Sequence, residues 1–266
     1  MKVYIMTDME GVAGVLNHDD WVTPSGPYYE NGKELLTLEI NSAAEGFFDA
    51  GADEILAADG HGYGGINTEL LDNRIFLQRK FTGPYPFGLD KTFDVIAWVG
   101  QHPKAGTQYG HICHTGWFDV IDYRINDISV GEFGQLAFCA GELGVTPIFA
   151  SGCKAFAEEA ASLVKGIHTA VVKYGLTPDS GIECNCDQYR AKNLSAIHLP
   201  PERARKVIKT NAYNALKAYL DSPESFVPVK IKAPYTIDVD LRDNGDIKAH
   251  SYHKSHANSI IECLNS

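Results

Sequence analysis

Short apolar runs of strand length recur along the first two thirds of the chain, and each ends in small or polar residues. Several β-branched or aromatic side chains in each run favour a strand over a helix. We interpret five runs as strands, at residues 3–6, 54–58, 95–99, 147–150 and 167–172.

Longer segments with helical periodicity separate some of these runs. Residues 30–50 place an apolar stripe on one helical face, and residues 155–164 repeat the pattern more weakly. The stripe of the first segment consists of Leu36, Ile40, Ala43, Ala44 and Phe47. Because strands that alternate with helices form parallel sheets covered on both faces, the pattern predicts an α/β fold with a mainly parallel central sheet flanked by helices.

The pattern changes after Tyr174. Residues 175–197 are rich in polar and turn-forming residues and predict a long irregular loop, after which Pro201 opens a long amphipathic helix. Two more strand-like runs follow at 227–231 and 236–241, and the alternation in the second predicts an antiparallel or half-exposed strand.

Length and composition are those of a globular chain. The 266 residues are 44% hydrophobic and 21% charged, which excludes a disordered or fibrous protein. We predict an α/β domain over residues 1–152, which carries the candidate site, and a smaller α+β domain over 153–266. A single domain is the alternative.

Charge and cysteine content narrow the range of partners. Lys and Arg total 23 and Asp and Glu total 34, which gives a net charge of −11 without a basic stripe, so we expect no nucleic-acid partner. No apolar run reaches the roughly 18 residues that span a membrane, and we expect no membrane association.

The apolar N-terminal stretch is too short for a signal peptide and predicts a cytoplasmic protein. The 6 cysteines show no C-x-x-C spacing and are predicted to be reduced thiols.

Acidic and histidine side chains follow three of the predicted strands, at the sheet edge where α/β proteins bind their ligands. Asp8 and Glu10 follow the first strand, His61 the second and His102 the third. Glu132 stands at the start of a further predicted helix. Carboxylates and neutral imidazoles are the ligands that zinc takes in hydrolytic sites. Several of each indicate two metals about 3.5–4 Å apart, bridged by one carboxylate.

Other chemistry stays open at this point. The segment from Gly60 to Gly65 fits the G-x-G-x-x-G pattern after a strand and allows an NAD-dependent oxidoreductase, although a poor helix follows it. The same two-metal ligands also allow a phosphoesterase. Cys153, which follows Ser151 and Gly152, is predicted to pack at a turn rather than to act as a nucleophile.

Two histidine clusters are interpreted as surface features. His18, followed by two acids, has no strand to fix it and predicts a solvated loop. His250, His253 and His256 are spaced by three and would share one face of a helix. Their polar surroundings predict instead an exposed or subunit-contact segment.

The motifs taken together resemble the zinc-dependent D-aminopeptidases linked to dipeptide-transport operons. With a one-residue difference in spacing, Thr7-Asp8-Met9-Glu10-Gly11 matches the S/T-x-D-x-E-G-like start of that family. Asp59-Gly60-His61 resembles its D-x-H motif and Gly100-Gln101-His102 its G-x-H motif. Ile125-Asn126-Asp127 with Val130-Gly131-Glu132 resembles its I-N-D…V-G-E segment. The similarity covers residues 1–173, whereas residues 175–197 and the C-terminal tail depart from the family pattern.

The resemblance implies a binuclear zinc aminopeptidase that removes N-terminal D-amino acids from short peptides or amino-acid amides. It also implies a homo-oligomer, a decameric ring that encloses the active sites. His114 would be the catalytic histidine, with His111 as its rival, and Asn126 and Lys173 are candidates for supporting roles. The resemblance assigns two zinc ions to Asp8 as the bridging ligand and to Glu10, His61, His102 and Glu132.

Overall fold

The computed structural model of the protein describes all 266 residues. The strands are β1 (Lys2–Thr7), β2 (Glu54–Asp59), β3 (Ile75–Gln78), β4 (Val95–Gln101), β5 (Val120–Ile125), β6 (Ile128–Ser129), β7 (Thr146–Cys153), β8 (Val164–Lys165), β9 (His168–Gly175), β10 (Ala196–His198), β11 (Val227–Pro228), β12 (Tyr235–Leu241) and β13 (His250–His256). The helices are α1 (His18–Trp21), α2 (Tyr29–Ala50), α3 (Glu132–Leu143), α4 (Lys154–Leu163), α5 (Cys186–Arg190), α6 (Pro201–Asp221) and α7 (Ile260–Asn265).

A seven-stranded sheet in the order β10-β9-β7-β4-β1-β2-β3 forms the centre of the molecule. All of its neighbouring strands are parallel except β10 and β9. Alternate residues of the strands face two separate apolar cores. One core holds α2 and α6, and the other holds α3, α4 and α7. The predicted α/β fold with a mainly parallel sheet is confirmed.

A four-stranded antiparallel sheet, β13-β12-β5-β6, packs on the same side of the central sheet as α3 and α7. Asn126 and Asp127, both with left-handed φ, form the tight turn between β5 and β6. Residue 152 lies inside β7, and both sheets combine strands from the two sides of it. The division into two domains stays a prediction about independent folding.

The five strands predicted in the first two thirds of the chain are present, each one to four residues longer than predicted. The strand predicted at 227–231 is wrong beyond its first two residues, because Pro228 has no N–H to continue a ladder. The predicted loop at 175–197 contains α5, which Asn185 caps by accepting from the Gln188 N–H. All six cysteines are free, as predicted. None of the helices has the length and apolar character that crossing a membrane requires.

Candidate functional site

The candidate site lies where the carboxyl ends of β1, β2 and β4 meet the first turn of α3. The chain leaving β1 runs against the end of β4, because the Asp8 N–H donates to the Val99 carbonyl at 3.0 Å and the Gly11 N–H to the Gly100 carbonyl at 2.7 Å. A Cβ on Gly11 would collide with the Gln101 carbonyl, and one on Gly100, whose φ is +77°, with the Asp8 carbonyl. These two glycines therefore permit the close approach that brings the β1 and β4 ligands together.

Asp8, Glu10 and His61 form one buried group of possible metal ligands. His61 Nδ1 lies 3.2 Å from Asp8 Oδ1 and 3.5 Å from Glu10 Oε2. The Nε2 of the same ring lies 2.7 Å from the Val22 carbonyl. A carbonyl only accepts, so Nε2 carries the proton and, in the neutral ring, the Nδ1 lone pair faces the two carboxylates.

His102, His114 and Glu132 form a second group. His102 Nδ1 donates to the Pro103 carbonyl at 3.0 Å, which leaves its Nε2 facing Asp8 Oδ2 at 3.2 Å and Glu132 Oε1 at 3.5 Å. The two oxygens of Asp8 thus face different groups. Asp8 is therefore the carboxylate that contacts both groups.

Two buried polar atoms of the site lack hydrogen-bond partners. Glu10 Oε2 and His102 Nε2 are both inaccessible to water and make no hydrogen bond of acceptable geometry. A buried polar group left in this way costs about 1–3 kcal/mol. The donor set of carboxylate oxygens and imidazole nitrogens is the set that zinc accepts, so the residues present fit a divalent metal of this kind.

Burial and mutual charge act against each other in this cluster. Burial disfavours charge on His61 and His102, but the adjoining carboxylates Glu10, Asp8 and Glu132 outweigh it and raise the pKa of both rings. Burial likewise opposes ionisation of Asp8 and Glu132. His102 and His61 outweigh it and lower the pKa of Asp8, and His102 and His114 lower the pKa of Glu132. The buried carboxylates therefore favour positive charge beside them, and a divalent cation supplies that charge as a protonated ring does.

Gln101 and Gly116 orient two carboxylates of the site, and the sequence analysis did not predict either role. Gln101 Nε2 donates to Asp8 Oδ2 at 3.0 Å, and the Gly116 N–H donates to Glu132 Oε1 at 2.8 Å. Gln101 stands between Gly100 and His102 at the strand end, a position that could have indicated a role. The role of Gly116 could not be predicted from its residue type, because Gly116 contributes a backbone N–H from a loop.

The structure separates the two rival histidines. The His114 ring stacks on His102 with the ring centroids 4.0 Å apart and lines the site cavity. Its Nδ1 donates to the Ile112 carbonyl at 2.9 Å, and burial, together with His102, lowers its pKa. His111 lies elsewhere in the core against His198, and burial lowers its pKa to about 2. His111 therefore does not reach the candidate site.

The supporting candidates have structural contacts. Lys173 is fully buried and donates to the backbone carbonyls of Glu10 and Val12, so it fixes the loop that carries two of the proposed ligands. Asn126 hydrogen-bonds the backbone at Lys232 and Thr236 and joins the β5–β6 turn to β12. Neither side chain enters the site cavity.

The glycine-rich segment forms a closed turn. The Gly64 N–H donates to the His61 carbonyl at 2.9 Å, and the Gly65 N–H to Asp59 Oδ1 at 2.8 Å. Arg79 donates to the Asp59 and His61 carbonyls and so fixes the turn that carries His61. No helix follows before β3, so the helix N-terminus that a dinucleotide motif needs is absent.

A cavity of about 680 Å³ opens over the two ligand groups. The prediction that His18 lies in a solvated loop is wrong. Asn17 caps α1, the His18 side chain is buried, and its ring packs on Phe118 at 5.0 Å at the cavity wall. The three C-terminal histidines lie on β13, where the predicted exposed segment is confirmed for His250 and His253. Seven further aromatic side chains line the cavity: Tyr63, Tyr85, Phe87, Trp98, Trp117, Tyr123 and Tyr252.

An α/β sheet whose strand ends carry converging buried carboxylates and imidazoles beside an open cavity has the architecture of a metal-dependent hydrolase. The peptidase M55 family, described as D-aminopeptidase, matches residues 1–257. The chain belongs to this family, which confirms the resemblance recognised in the motifs.

A protein sequence and a solved structure, both from Bacillus subtilis, are similar to this chain. A D-aminopeptidase from strain 168 is 33% identical over 187 residues, which cover 69% of this chain and 67% of that protein. The solved structure described as the Zn-dependent D-aminopeptidase DppA, a self-compartmentalizing protease, superposes with a TM-score of 0.82 at 24% identity. The match covers 99% of this chain and 94% of that one, so the two share their entire fold.

Proposed function

We propose that this protein is a binuclear zinc aminopeptidase that removes N-terminal D-amino acids from short peptides or amino-acid amides. Asp8, Glu10 and His61 would hold one zinc ion, and His102 and Glu132 the other, with Asp8 shared between them. The observation that carries the proposal is the placement of the two Asp8 oxygens against different ligand groups, 3.2 Å from His61 Nδ1 and 3.2 Å from His102 Nε2. Membership of the D-aminopeptidase family supports the reaction.

Zinc held at these ligands would lower the pKa of a bound water molecule and polarise the scissile carbonyl. The protein itself supplies orientation and a proton carrier. Gln101 and the Gly116 N–H orient the carboxylates, and the Val22 and Pro103 carbonyls fix the His61 and His102 tautomers.

His114 is the proposed proton carrier. Because its Nδ1 hydrogen is donated to the Ile112 carbonyl, the neutral ring presents an unprotonated Nε2 to the cavity. That nitrogen is able to accept a proton from the attacking water and deliver it to the leaving amine. Delivery of a hydrogen bond to the developing oxyanion would require the protonated ring, which the lowered pKa disfavours.

The assembly and the location of the enzyme belong to the same proposal. The similar Bacillus subtilis structure is described as self-compartmentalizing. We infer that this chain also forms a homo-oligomer, a decameric ring with its cavities facing an enclosed space, in the cytoplasm.

Hydrolysis of paired D- and L-aminoacyl amides by the zinc-loaded protein tests the proposed reaction. We expect turnover of the D-series with a kcat/KM at least about tenfold above that of the L-series, since a chiral pocket separates enantiomers by interactions of about 1.4 kcal/mol or more. An aryl phosphate serves as the counter-substrate, because the same ligand types support phosphoester hydrolysis. Phosphate release without amide hydrolysis would replace the aminopeptidase with a phosphoesterase.

A further inference from the structure

The cavity contains one carboxylate that the proposed metal ligands leave unused. No Lys or Arg lines the cavity, and four acidic residues do: Asp8, Glu10, Asp119 and Glu132. Three of the four belong to the ligand groups at the cavity floor. Asp119 is therefore the one acidic side chain of the cavity that is available to a bound molecule.

The Asp119 carboxylate is fixed in place with one oxygen free. Asn244 Nδ2 donates to its Oδ2 at 3.1 Å, and the Arg242 N–H donates to the Asp119 backbone carbonyl at 2.8 Å. Oδ1 accepts no hydrogen bond from the protein, and no basic side chain pairs with this half-buried carboxylate. A cation in the cavity thus meets an oriented, partly desolvated anion, to which it binds more strongly than to a carboxylate in water.

The surroundings of Asp119 suit an organic ammonium group. Asp119 directly follows Phe118, whose ring stacks on His114 with the centroids 4.5 Å apart. Trp117 and Tyr252 line the same cavity and present aromatic rings, which attract ammonium groups at their faces. No Lys or Arg of the cavity competes for the carboxylate.

We propose that Asp119 binds the α-ammonium group of the substrate's N-terminal residue and so selects unblocked N-termini, an inference that rests on the proposed aminopeptidase function. The positively charged end of the substrate is held at Asp119 while its first carbonyl lies over the ligand groups. Peptides with an acylated N-terminus lack the cation and are poor substrates. The role is one of binding and selection, because Asp119 takes no part in proton transfer.

The test compares two metal-binding inhibitors that differ only in the amine: an amino-acid hydroxamate and the acyl hydroxamate that lacks the amino group. In the zinc-loaded wild type we expect the amine-bearing inhibitor to bind about 10- to 100-fold more tightly, the range of a charge-assisted hydrogen bond. Asp119→Asn is expected to bring this ratio close to one. The same variant raises the KM of an aminoacyl amide by a similar factor and changes kcat by less than about threefold, as loss of uniform binding does.

Asp127→Asn is the matched control, since Asp127 is exposed in the β5–β6 turn and outside the cavity, and it should keep the wild-type ratio. Unchanged binding of the amine-free hydroxamate to Asp119→Asn shows that the variant is folded and loaded. If that variant does not fold, Asn244→Ala, which frees the Asp119 carboxylate, is expected to lower the ratio to a smaller degree. An unaltered ratio in the folded Asp119→Asn variant overturns the inference and leaves the aminopeptidase proposal standing. A wild-type protein that neither binds the hydroxamates nor hydrolyses amides would overturn both.

Discussion

Two histidines of the site are each held in one tautomer by a backbone carbonyl, and this decides which nitrogen is offered to a metal. Val22 accepts from His61 Nε2 and Pro103 from His102 Nδ1, so the two rings present different nitrogens to Asp8. The Ile112 carbonyl likewise fixes the tautomer of His114 by accepting from its Nδ1. The His114 ring lies farther from the carboxylates, with Nε2 4.0 Å from Glu132 Oε1. On this difference we propose His61 and His102 as ligands and His114 as the proton carrier.

His114→Ala is expected to lower kcat at least about 100-fold, since a positioned general acid–base contributes about 10²–10⁴-fold. Zinc content per chain should stay at the wild-type value, because the proposed ligands are untouched. Elemental analysis and amide hydrolysis on the same preparation provide both numbers. His111→Ala is the control for loss of a buried histidine, and it should retain activity wherever it folds. Loss of zinc in His114→Ala would make His114 a ligand and contradict its proposed role as the proton carrier.

At the scale of elements, the site depends on the crossing of the loop after β1 and the end of β4. Ligands of α/β proteins bind at the carboxyl ends of parallel strands, and this rule was enough to predict that Asp8, His61 and His102 converge. Each of them follows a strand of the sheet within two residues. The rule does not reach Asp119, which lies in the turn before β5, or His18, which is the first residue of α1. The pattern of apolar residues also gave no indication of β13, because its His- and Ser-rich residues are mostly exposed and show no apolar alternation. Tertiary contacts fix such segments, and a local pattern does not record them.

Gly100→Ala tests the crossing. The added Cβ meets the Asp8 carbonyl at a left-handed φ of +77°, so we expect a loss of at least about 2 kcal/mol in unfolding free energy together with reduced zinc binding. Gly144→Ala is a matched control, because Gly144 has the same φ of +77° with no atom within 4 Å of the added Cβ. It should show the conformational strain alone and keep its zinc. Denaturant unfolding and metal titration of the two variants measure both effects, and equal zinc affinity in the two would contradict the role of the crossing.

For the whole molecule, the charge balance of the site links metal binding to pH. The pKa values of His61 and His102 are raised from 6.5, so their contribution to the metal-free fold is complete below that pH and is lost as the pH rises through the raised values. The pKa values of Asp8 and Glu132 are lowered from 3.8 and 4.5, so their contribution is complete above those values and is lost as the pH falls through the lowered ones. The cluster stabilises the metal-free protein most between pH 4.5 and 6.5.

Zinc reverses this dependence, because it binds deprotonated ligands and competes with the protons on both rings. The rise in Tm on adding zinc should therefore grow between about pH 5.5 and about pH 8. Thermal melts with and without zinc across this range measure it. A zinc-induced shift that is constant or falls with pH would show that the metal does not displace protons from the two histidines.

The central claim is a site for two zinc ions joined by Asp8, and the zinc content of the purified protein tests it most directly. The measurement compares wild type with Asp8→Ala by elemental analysis after loading with zinc and removing the excess. We predict about two zinc ions per wild-type chain and a sharp fall in the variant, since the bridging ligand serves both positions. A wild-type protein that takes up no zinc, or an Asp8→Ala variant that retains the full amount, would contradict the claim.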